Sequence, residues 1–491
     1  MNETKSYDRG YFTSLRRFYT PYGESRPQVI VLSEKTVSRR GYVKYAGAGI
    51  VIVAGAAAGA YYATRPPPTP AETTTMATAT GPKEWSDFYK EAAAPYKGTK
   101  LQVISVSGQR LEDTLISSGQ EFEKLTGISV EVTPLSWDAG HEKVVSDYVA
   151  KAGAYDGATI DGWVMANFTQ SGYLVPQDQF WNNSALRDPN FNFDDLVPSI
   201  VDLNCTWQNE WWGLPYIGDV SVLFYRKDLF DKYDMKPPET WDEYTQTAKF
   251  FAKDVFEQEH VYGSAEQLKM GIDCPTSWVY RYGGPFDQYH PVVNNKYGKQ
   301  AFQWTKDVLP YSAPATLEYD SMESGDAFLR GDVAMNPNWG FLAGKAVDPT
   351  MSKIQDKWFV APVPKGLEKR TPFLGGWVLG ILPYSKRKEA AFLFFEYHST
   401  QQNQKRVVLD PSLGSVPTRT SVLSDPDVVA KFPYYPAYVE SLLTSVARPS
   451  VPEFLEMWDV LSIAFSDYLT NAKGLDEATD WCQAKWEELL A

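Results

Sequence analysis

An uncharged run from Tyr45 to Ala63 constrains this chain more than any other feature of its sequence. In a helix that rises about 1.5 Å per residue, the run is just long enough to cross a bilayer core of about 30 Å. A short basic segment precedes it, and a long acidic remainder follows it. The positive flank predicts that residues 1–44 are cytoplasmic and that the body lies on the other side of the membrane.

The run has two interpretations. Ser38–Lys44, with its adjacent Arg39 and Arg40, resembles the twin-arginine export signal, and Ala56–Ala60 offers small residues for a signal peptidase. The alternative is an uncleaved transmembrane helix with ordinary positive flanks. The proline- and threonine-rich segment that follows favours this alternative. Both interpretations predict an extracytoplasmic body, either anchored by this helix or secreted.

Residues 64–97 are predicted to form a linker, because prolines stand at 66–68 and 70 and threonines at 69, 73–75, 78 and 80. Proline-rich chain is extended, at about 3.1 Å per residue. The linker would keep a tethered body near a partner in the membrane.

Composition excludes several classes of function. The net charge of −14 argues against binding nucleic acid, which requires basic surface. The four histidines form no metal-ligand pattern, and the chain has neither a P-loop nor a nucleophile elbow. We therefore expect no metal, no cofactor and no enzyme activity. The three cysteines permit one Cys205–Cys274 disulfide in an exported body, with buried free thiols as the alternative.

The body alternates short β-branched runs with amphipathic segments. The pattern predicts, in order, a strand, a helix, a strand, a helix and a strand at Leu101–Val106, Leu111–Leu125, Ile128–Val132, His141–Ala152 and Asp156–Trp163. This alternation is typical of an α/β fold with a doubly wound sheet.

Ligands of such sheets bind beyond the carboxyl ends of the strands. The candidate segments are therefore Ser107–Arg110, Ser136–Trp137 and Asp161–Trp163.

A set of segments in a fixed order carries a family resemblance. The first three are Leu214–Tyr216, Tyr225–Leu229 and Pro238–Glu243, the last with a capping box from Thr240 to Glu243. They are followed by Asp326–Met335, Phe373–Thr400, Gly414–Arg419 and Ala447–Pro449. Together they resemble the extracellular solute-binding proteins of ABC importers, in the family of maltose- and oligosaccharide-binding proteins.

The resemblance implies a two-lobed α/β fold of the periplasmic-binding-protein type II class, with a hinge and a ligand cleft between the lobes. It places lobe 1 at residues 98–215 and 363–411, and lobe 2 at residues 219–361 and 412–491.

A sugar site requires aromatic platforms and planar hydrogen-bonding side chains. The resemblance places ligand contacts at Trp339, at Trp377 and at a loop that holds Trp278. The other candidates, from strand ends and the predicted hinge, are Asp161, Trp163, Tyr216, Asp219, Asn338, Gly376 and Arg448. The alternative for each tryptophan is packing in a core, for Asp161 a turn, and for Arg448 an ion pair.

The sequence thus predicts a membrane-tethered receptor that captures a sugar or related solute and delivers it to an ABC transporter permease. A surface glycoside hydrolase and a surface sensor are the alternatives. Sequons at Asn167, Asn182 and Asn204 are compatible with an exported protein.

Overall fold

The computed structural model describes residues 85–107, 111–271, 273–410, 413 and 416–491. The predicted cytoplasmic segment, the apolar run, most of the linker and residues 108–110 lie outside these ranges. Within them, no helix combines the length and the apolar character that a bilayer span requires.

The strands are short and rich in β-branched and aromatic residues. They are β1 (Lys100–Val106), β2 (Ser129–Leu135), β3 (Gly157–Asp161), β4 (Thr206–Trp207), β5 (Glu210–Trp211), β6 (Leu214–Ile217), β7 (Ser221–Tyr225), β8 (Tyr262–Ser264), β9 (Val333–Trp339), β10 (Phe359–Pro362) and β11 (Trp377–Ile381).

The α-helices of the described residues surround two of the sheets. They are α1 (Trp85–Ala92), α2 (Leu111–Thr126), α3 (Trp137–Ala150), α4 (Met165–Gln170), α5 (Asp178–Trp181), α6 (Pro198–Ile200), α7 (Lys227–Lys232), α8 (Trp241–Lys249), α9 (Phe256–Glu259), α10 (Cys274–Tyr282), α11 (Lys296–Val308), α12 (Ser321–Arg330), α13 (Leu342–Ala346), α14 (Lys388–His398), α15 (Gln401–Val408), α16 (Thr420–Leu423), α17 (Pro426–Lys431), α18 (Tyr435–Thr444), α19 (Phe454–Leu469) and α20 (Leu475–Leu489).

Local sequence sets several helix ends. The Thr240 hydroxyl and the Glu243 carboxylate form the predicted capping box at the start of α8. Gly127 follows α2 with a φ of +76°, a conformation that few residues other than glycine adopt, and so stops that helix. Asp320 and Glu323 form a second capping box, which begins α12.

The first large sheet has the strand order β2-β1-β3-β11-β6. β1 runs parallel to β2 and β3, with Val103 opposite Val132 and Gly157. β11 enters antiparallel to β3 and β6, so that Trp377 stands opposite both Asp161 and Ile217. The carboxyl end of β3 therefore meets the start of β11.

The second sheet has the order β10-β7-β9-β8. β7 is antiparallel to both of its neighbours, and Ser221 at its start stands opposite Trp339 at the end of β9. The end of β9 and the start of β7 thus face the first sheet.

The chain crosses between the two sheets at adjacent places. It leaves the first sheet after β6 and returns to it from β10 through residues 363–376. The crossings run side by side, because Val220 bridges Leu374 and Phe373 bridges Val446, which follows α18. The two sheets form two α/β lobes joined at this hinge, whereas the residue boundaries of each lobe stay a prediction.

One sequence-based expectation requires correction. Residues 85–97 are not linker, because α1 lies on the first lobe with the Tyr89 side chain fully buried and its hydroxyl donating to Glu396. Of the two alternatives for the cysteines, the structure has buried free thiols, at Cys205, Cys274 and Cys482.

Candidate functional site

An ion pair lies where the two lobes meet. Asp161 is the last residue of β3, and Arg448 follows α18 just after the Val446 bridge to the hinge. Arg448 Nη1 is 3.5 Å from Asp161 Oδ1, and the two side chains are only 5% and 6% exposed. The guanidinium and the carboxyl group are therefore held next to each other and out of water.

Burial shifts the titration of both partners. It raises the pKa of Asp161 to about 8, although the Arg448 guanidinium opposes the rise. It lowers the pKa of Arg448 to about 10, against the opposing charges of Asp161, Asp273 and Asp219. Shifts of this size mark an environment of low dielectric, where hydrogen bonds and charges act strongly.

Aromatic rings enclose the guanidinium. Its Cζ atom lies 3.2 Å from the centroid of the Trp163 ring, 4.5 Å from that of Phe373 and 5.5 Å from that of Trp339. Trp163 comes from the first lobe, and Trp339 ends β9 of the second lobe. Cation–π contact with rings from both lobes thus fixes Arg448 at the hinge.

The hinge turn, Gly375–Trp377, lies at the start of β11 beside the aromatic rings. A Cβ atom on Gly375 would lie 2.9 Å from Cζ3 of Trp339, so only glycine lets that ring rest on the turn. Gly376 has a φ of +87°, which bends the chain so that Trp377 enters β11 opposite Asp161. Glycine at both positions brings the backbone close to the ion pair.

Asp219 completes the charged part of the site. Burial raises the pKa of its carboxyl group to about 7, whereas the backbone N–H groups of Gly340, Val220 and Phe341 and the charge of Arg448 oppose the rise. The Asp219 carbonyl accepts the Gly375 amide at 2.9 Å. Asp219 therefore links β9 to the hinge turn through its backbone and its side chain.

Several buried polar atoms of this cluster have hydrogen-bonding capacity left over. Asp161 Oδ1, Trp163 Nε1 and Arg448 Nε have no hydrogen-bond partner among the described residues. Each such atom costs about 1–3 kcal/mol when it stays unsatisfied inside a protein. One acceptor and two donors beside aromatic rings suit a group that both donates and accepts, such as a hydroxyl.

The structure brings seven of the predicted residues together and separates three. Asp161, Trp163, Asp219, Trp339, Gly376, Trp377 and Arg448 surround the hinge. Trp278, Tyr216 and Asn338 do not belong to the cluster.

The predicted loop around Trp278 is instead helix α10. The Trp278 ring is fully buried, packs edge-on against Trp486 and donates its indole N–H to the Gly298 carbonyl. It is a core residue of the second lobe, and the expectation of a loop there was wrong.

Tyr216 and Asn338 have internal partners. The Tyr216 hydroxyl lies 3.0 Å from that of Thr114 and also donates to the Leu111 carbonyl. The Asn338 amide donates to the Ser321 carbonyl and to Asn336 Oδ1, both at 2.9 Å. Both side chains satisfy groups inside their own lobe.

Sequence reasoning missed three contributors. Phe373 packs against Arg448, Phe454 lies edge-on to Trp163 at 5.6 Å, and the Asn204 amide donates to the Gly375 carbonyl at 2.5 Å. Nothing in the local sequence sets these residues apart from ordinary core residues. The local sequence marks Asn204 only as part of a sequon.

Two features of the described residues bear on other kinds of site. No group of three or more His, Cys, Asp or Glu side chains there is arranged to hold a metal ion. A cavity of about 30 Å³ lies between α13 and the Tyr434–Tyr438 segment. That volume is about the space of one water molecule, too small for a sugar.

The family described as "Bacterial extracellular solute-binding protein" matches residues 107–405, which are more than half of the chain. The chain belongs to this family. The members are described as extracellular binding proteins, and a solute-binding role follows for this member too.

Individual relatives agree with the assignment. A probable amino-acid ABC transporter periplasmic-binding protein of Sinorhizobium fredii is 23% identical over 82% of this chain and 93% of its own. A mannitol-binding protein of Pseudomonas aeruginosa is 24% identical over 69% of this chain and 80% of its own.

The solved structure of maltose-bound MalE3 from T. maritima is 24% identical, with a TM-score of 0.70 over 80% of this solute-binding protein and all of that chain. The likeness confirms the two-lobed α/β fold that the sequence predicts.

Proposed function

We propose that this solute-binding protein captures a small, neutral, polyhydroxylated solute, a sugar or a polyol, at the Asp161–Arg448 pair. The observation that carries the proposal is a set of buried atoms without a hydrogen-bond partner among the described residues, inside an aromatic enclosure: Asp161 Oδ1, Trp163 Nε1 and Arg448 Nε. Vicinal hydroxyls would satisfy the acceptor and the donors, while an apolar sugar face would lie on a ring.

The charges favour a neutral ligand. Arg448 is the cation that interacts electrostatically with Asp161, Asp219 and Asp273, so the carboxyl groups around it outnumber it. An anionic solute would have to compete with these carboxyl groups for the Arg448 guanidinium.

Capture at the hinge suits transport. Trp163 and Trp339 come from different lobes and meet at Arg448, so a ligand held there would favour the closed arrangement of the lobes. A closed receptor would then pass its solute to the permease of an ABC transporter. The apolar run 45–63 and the linker would tether it to the membrane, and this part rests on the sequence alone.

An amino acid is the competing ligand class, because one relative is named for amino acids. The ligand ammonium and carboxylate groups would pair with Asp161 and Arg448. Such a ligand would have to separate two side chains that now pair with each other.

The hydrolase alternative predicts that a bound glycan is cleaved, whereas a receptor releases it unchanged.

A thermal-shift screen followed by calorimetry tests the proposal. The panel contains mannitol, ribitol, maltose, longer glucans, and neutral and charged amino acids. A true ligand at a hundredfold excess over its Kd stabilises the folded protein by about 2.7 kcal/mol. We expect sugars or polyols to raise Tm. A response to amino acids alone, or release of reducing sugar from the glucans, would contradict the proposal.

A further inference from the structure

A buried amide underlies the proposed site. Asn204 lies in the π-helical turn Val201–Cys205, just before β4, and its side chain is 4% exposed. π-Helical turns are rare and often accompany functional sites. The side chain reaches two turns that are distant from it in sequence.

The first of these is the hinge turn. Asn204 Nδ2 donates to the Gly375 carbonyl at 2.5 Å. A Cβ atom on Gly376 would lie 2.8 Å from the same Nδ2 and 2.9 Å from the Ile217 carbonyl oxygen. The amide therefore touches the stretch through which the chain returns to the first sheet.

The second is the acidic turn, Asp161–Trp163, which carries two of the proposed ligand-binding residues. A Cβ atom on Gly162 would overlap the Asn204 side chain, so the Asp161–Trp163 turn lies directly on this amide. The Gly162 N–H also donates to the Gly376 carbonyl at 3.4 Å. One side chain thus supports both the acidic turn and the hinge turn.

We propose that Asn204 is a positioning residue that locks the Asp161–Trp163 turn to the Gly375–Trp377 hinge turn. By fixing the two turns to each other, it sets the direction of Asp161 and Trp163 relative to the crossing that bends when the lobes close. Its amide, although part of a sequon, is used inside the fold.

The test replaces only the donor. Asn204→Asp keeps the shape of the side chain but places an oxygen against the Gly375 carbonyl. Asn336→Asp is the matched control, because Asn336 is also fully buried and donates to a backbone carbonyl, that of Ala265, at 2.9 Å in the second lobe. Gly162→Ala, which pushes on the same amide, provides a second variant if Asn204→Asp fails to fold.

The first readout is hydrogen exchange of the unliganded protein. The Gly162 and Gly375 amides, bonded to the Gly376 and Asp219 carbonyls, should exchange at least tenfold faster in Asn204→Asp. Asn336→Asp should leave their rates unchanged. Equal rates in Asn204→Asp and wild type would overturn the proposal.

The second readout rests on the proposed function. For the panel compound that binds wild type best, Asn204→Asp should raise Kd at least tenfold and Asn336→Asp less than twofold. An unchanged Kd in Asn204→Asp would overturn the positioning role. If no compound binds wild type, the proposed function fails, and the exchange rates still decide the role of Asn204.

Discussion

The guanidinium of Arg448 stacks on the Trp163 ring, with 3.2 Å between Cζ and the ring centroid. The contact joins the segment after α18 to the turn after β3. Because the same guanidinium is ion-paired with Asp161, the two residues hold the acidic turn and the hinge in one arrangement.

Replacing Arg448 by Lys tests this contact. The ammonium keeps the charge but loses the planar stacking surface. A desolvated cation–π contact contributes about 2 kcal/mol, so we expect roughly thirtyfold weaker binding of the best panel ligand. Calorimetry on Arg448→Lys measures it, with Arg330→Ala as a control because Arg330 is 47% exposed. Equal Kd values for Arg448→Lys and wild type would contradict a role for the stacked guanidinium.

Asp161 should make stability depend on pH. Its folded pKa of about 8 is far above the unfolded value of about 3.9, so the folded state binds the extra proton between these values. The stabilisation is present below pH 4 and is lost as pH rises to about 8. The Asp219 carboxyl, with a pKa of about 7, acts in the same direction.

Urea unfolding from pH 4 to pH 9 checks this dependence. The free energy of unfolding of wild type minus that of Asp161→Asn should fall across this range, at up to about 1.4 kcal/mol per pH unit. Subtraction removes the contributions of groups that do not interact with Asp161. A constant difference would show that Asp161 titrates normally.

The fold follows from local sequence more fully than the site does. The β1-α2-β2-α3-β3 alternation and the Thr240 cap are local signals, and the structure confirms them. Helix α10 was missed because all nine of its residues are buried, so it lacks the polar face that creates a helical period. Without a helical period, the sequence does not distinguish a core tryptophan in this segment from one that contacts a ligand.

The site residues lie far apart in sequence. Asp161 and Arg448 meet only because β3, the hinge turn and the segment after α18 converge, and no sequence pattern encodes that convergence. The strand-end rule found Asp161 and Trp163 from sequence. It gave no reason to select Phe373 or Asn204, whose roles depend on tertiary contacts.

Gly375→Ala should weaken binding through Trp339. The added Cβ would lie 2.9 Å from Cζ3 of the ring and would displace it from the hinge turn. Such overpacking costs about 1–3 kcal/mol, and we expect a rise in Kd together with a lower Tm. The control is Gly474→Ala, where a Cβ meets no atom within 4 Å. A Kd in Gly375→Ala equal to that of the control would contradict close contact between the ring and the turn.

Tyr89→Phe tests whether α1 belongs to the folded body. The Tyr89 hydroxyl donates to the buried Glu396 at 3.1 Å, so its loss should lower the free energy of unfolding by about 1–3 kcal/mol. Ligand affinity should not change, because the pair lies outside the site cluster. Lys90→Ala, at a side chain that is 52% exposed, is the control. An unchanged free energy of unfolding in Tyr89→Phe would contradict the packing of α1 on the first lobe.

The most direct test of the central claim is a crystal structure of the protein with the sugar or polyol that raises Tm most. We predict ligand hydroxyls within hydrogen-bonding distance of Asp161 Oδ1 and Arg448 Nε, with one face of the ligand against Trp163 or Trp339. A ligand bound elsewhere, with the Asp161–Arg448 pair left untouched, would contradict the account.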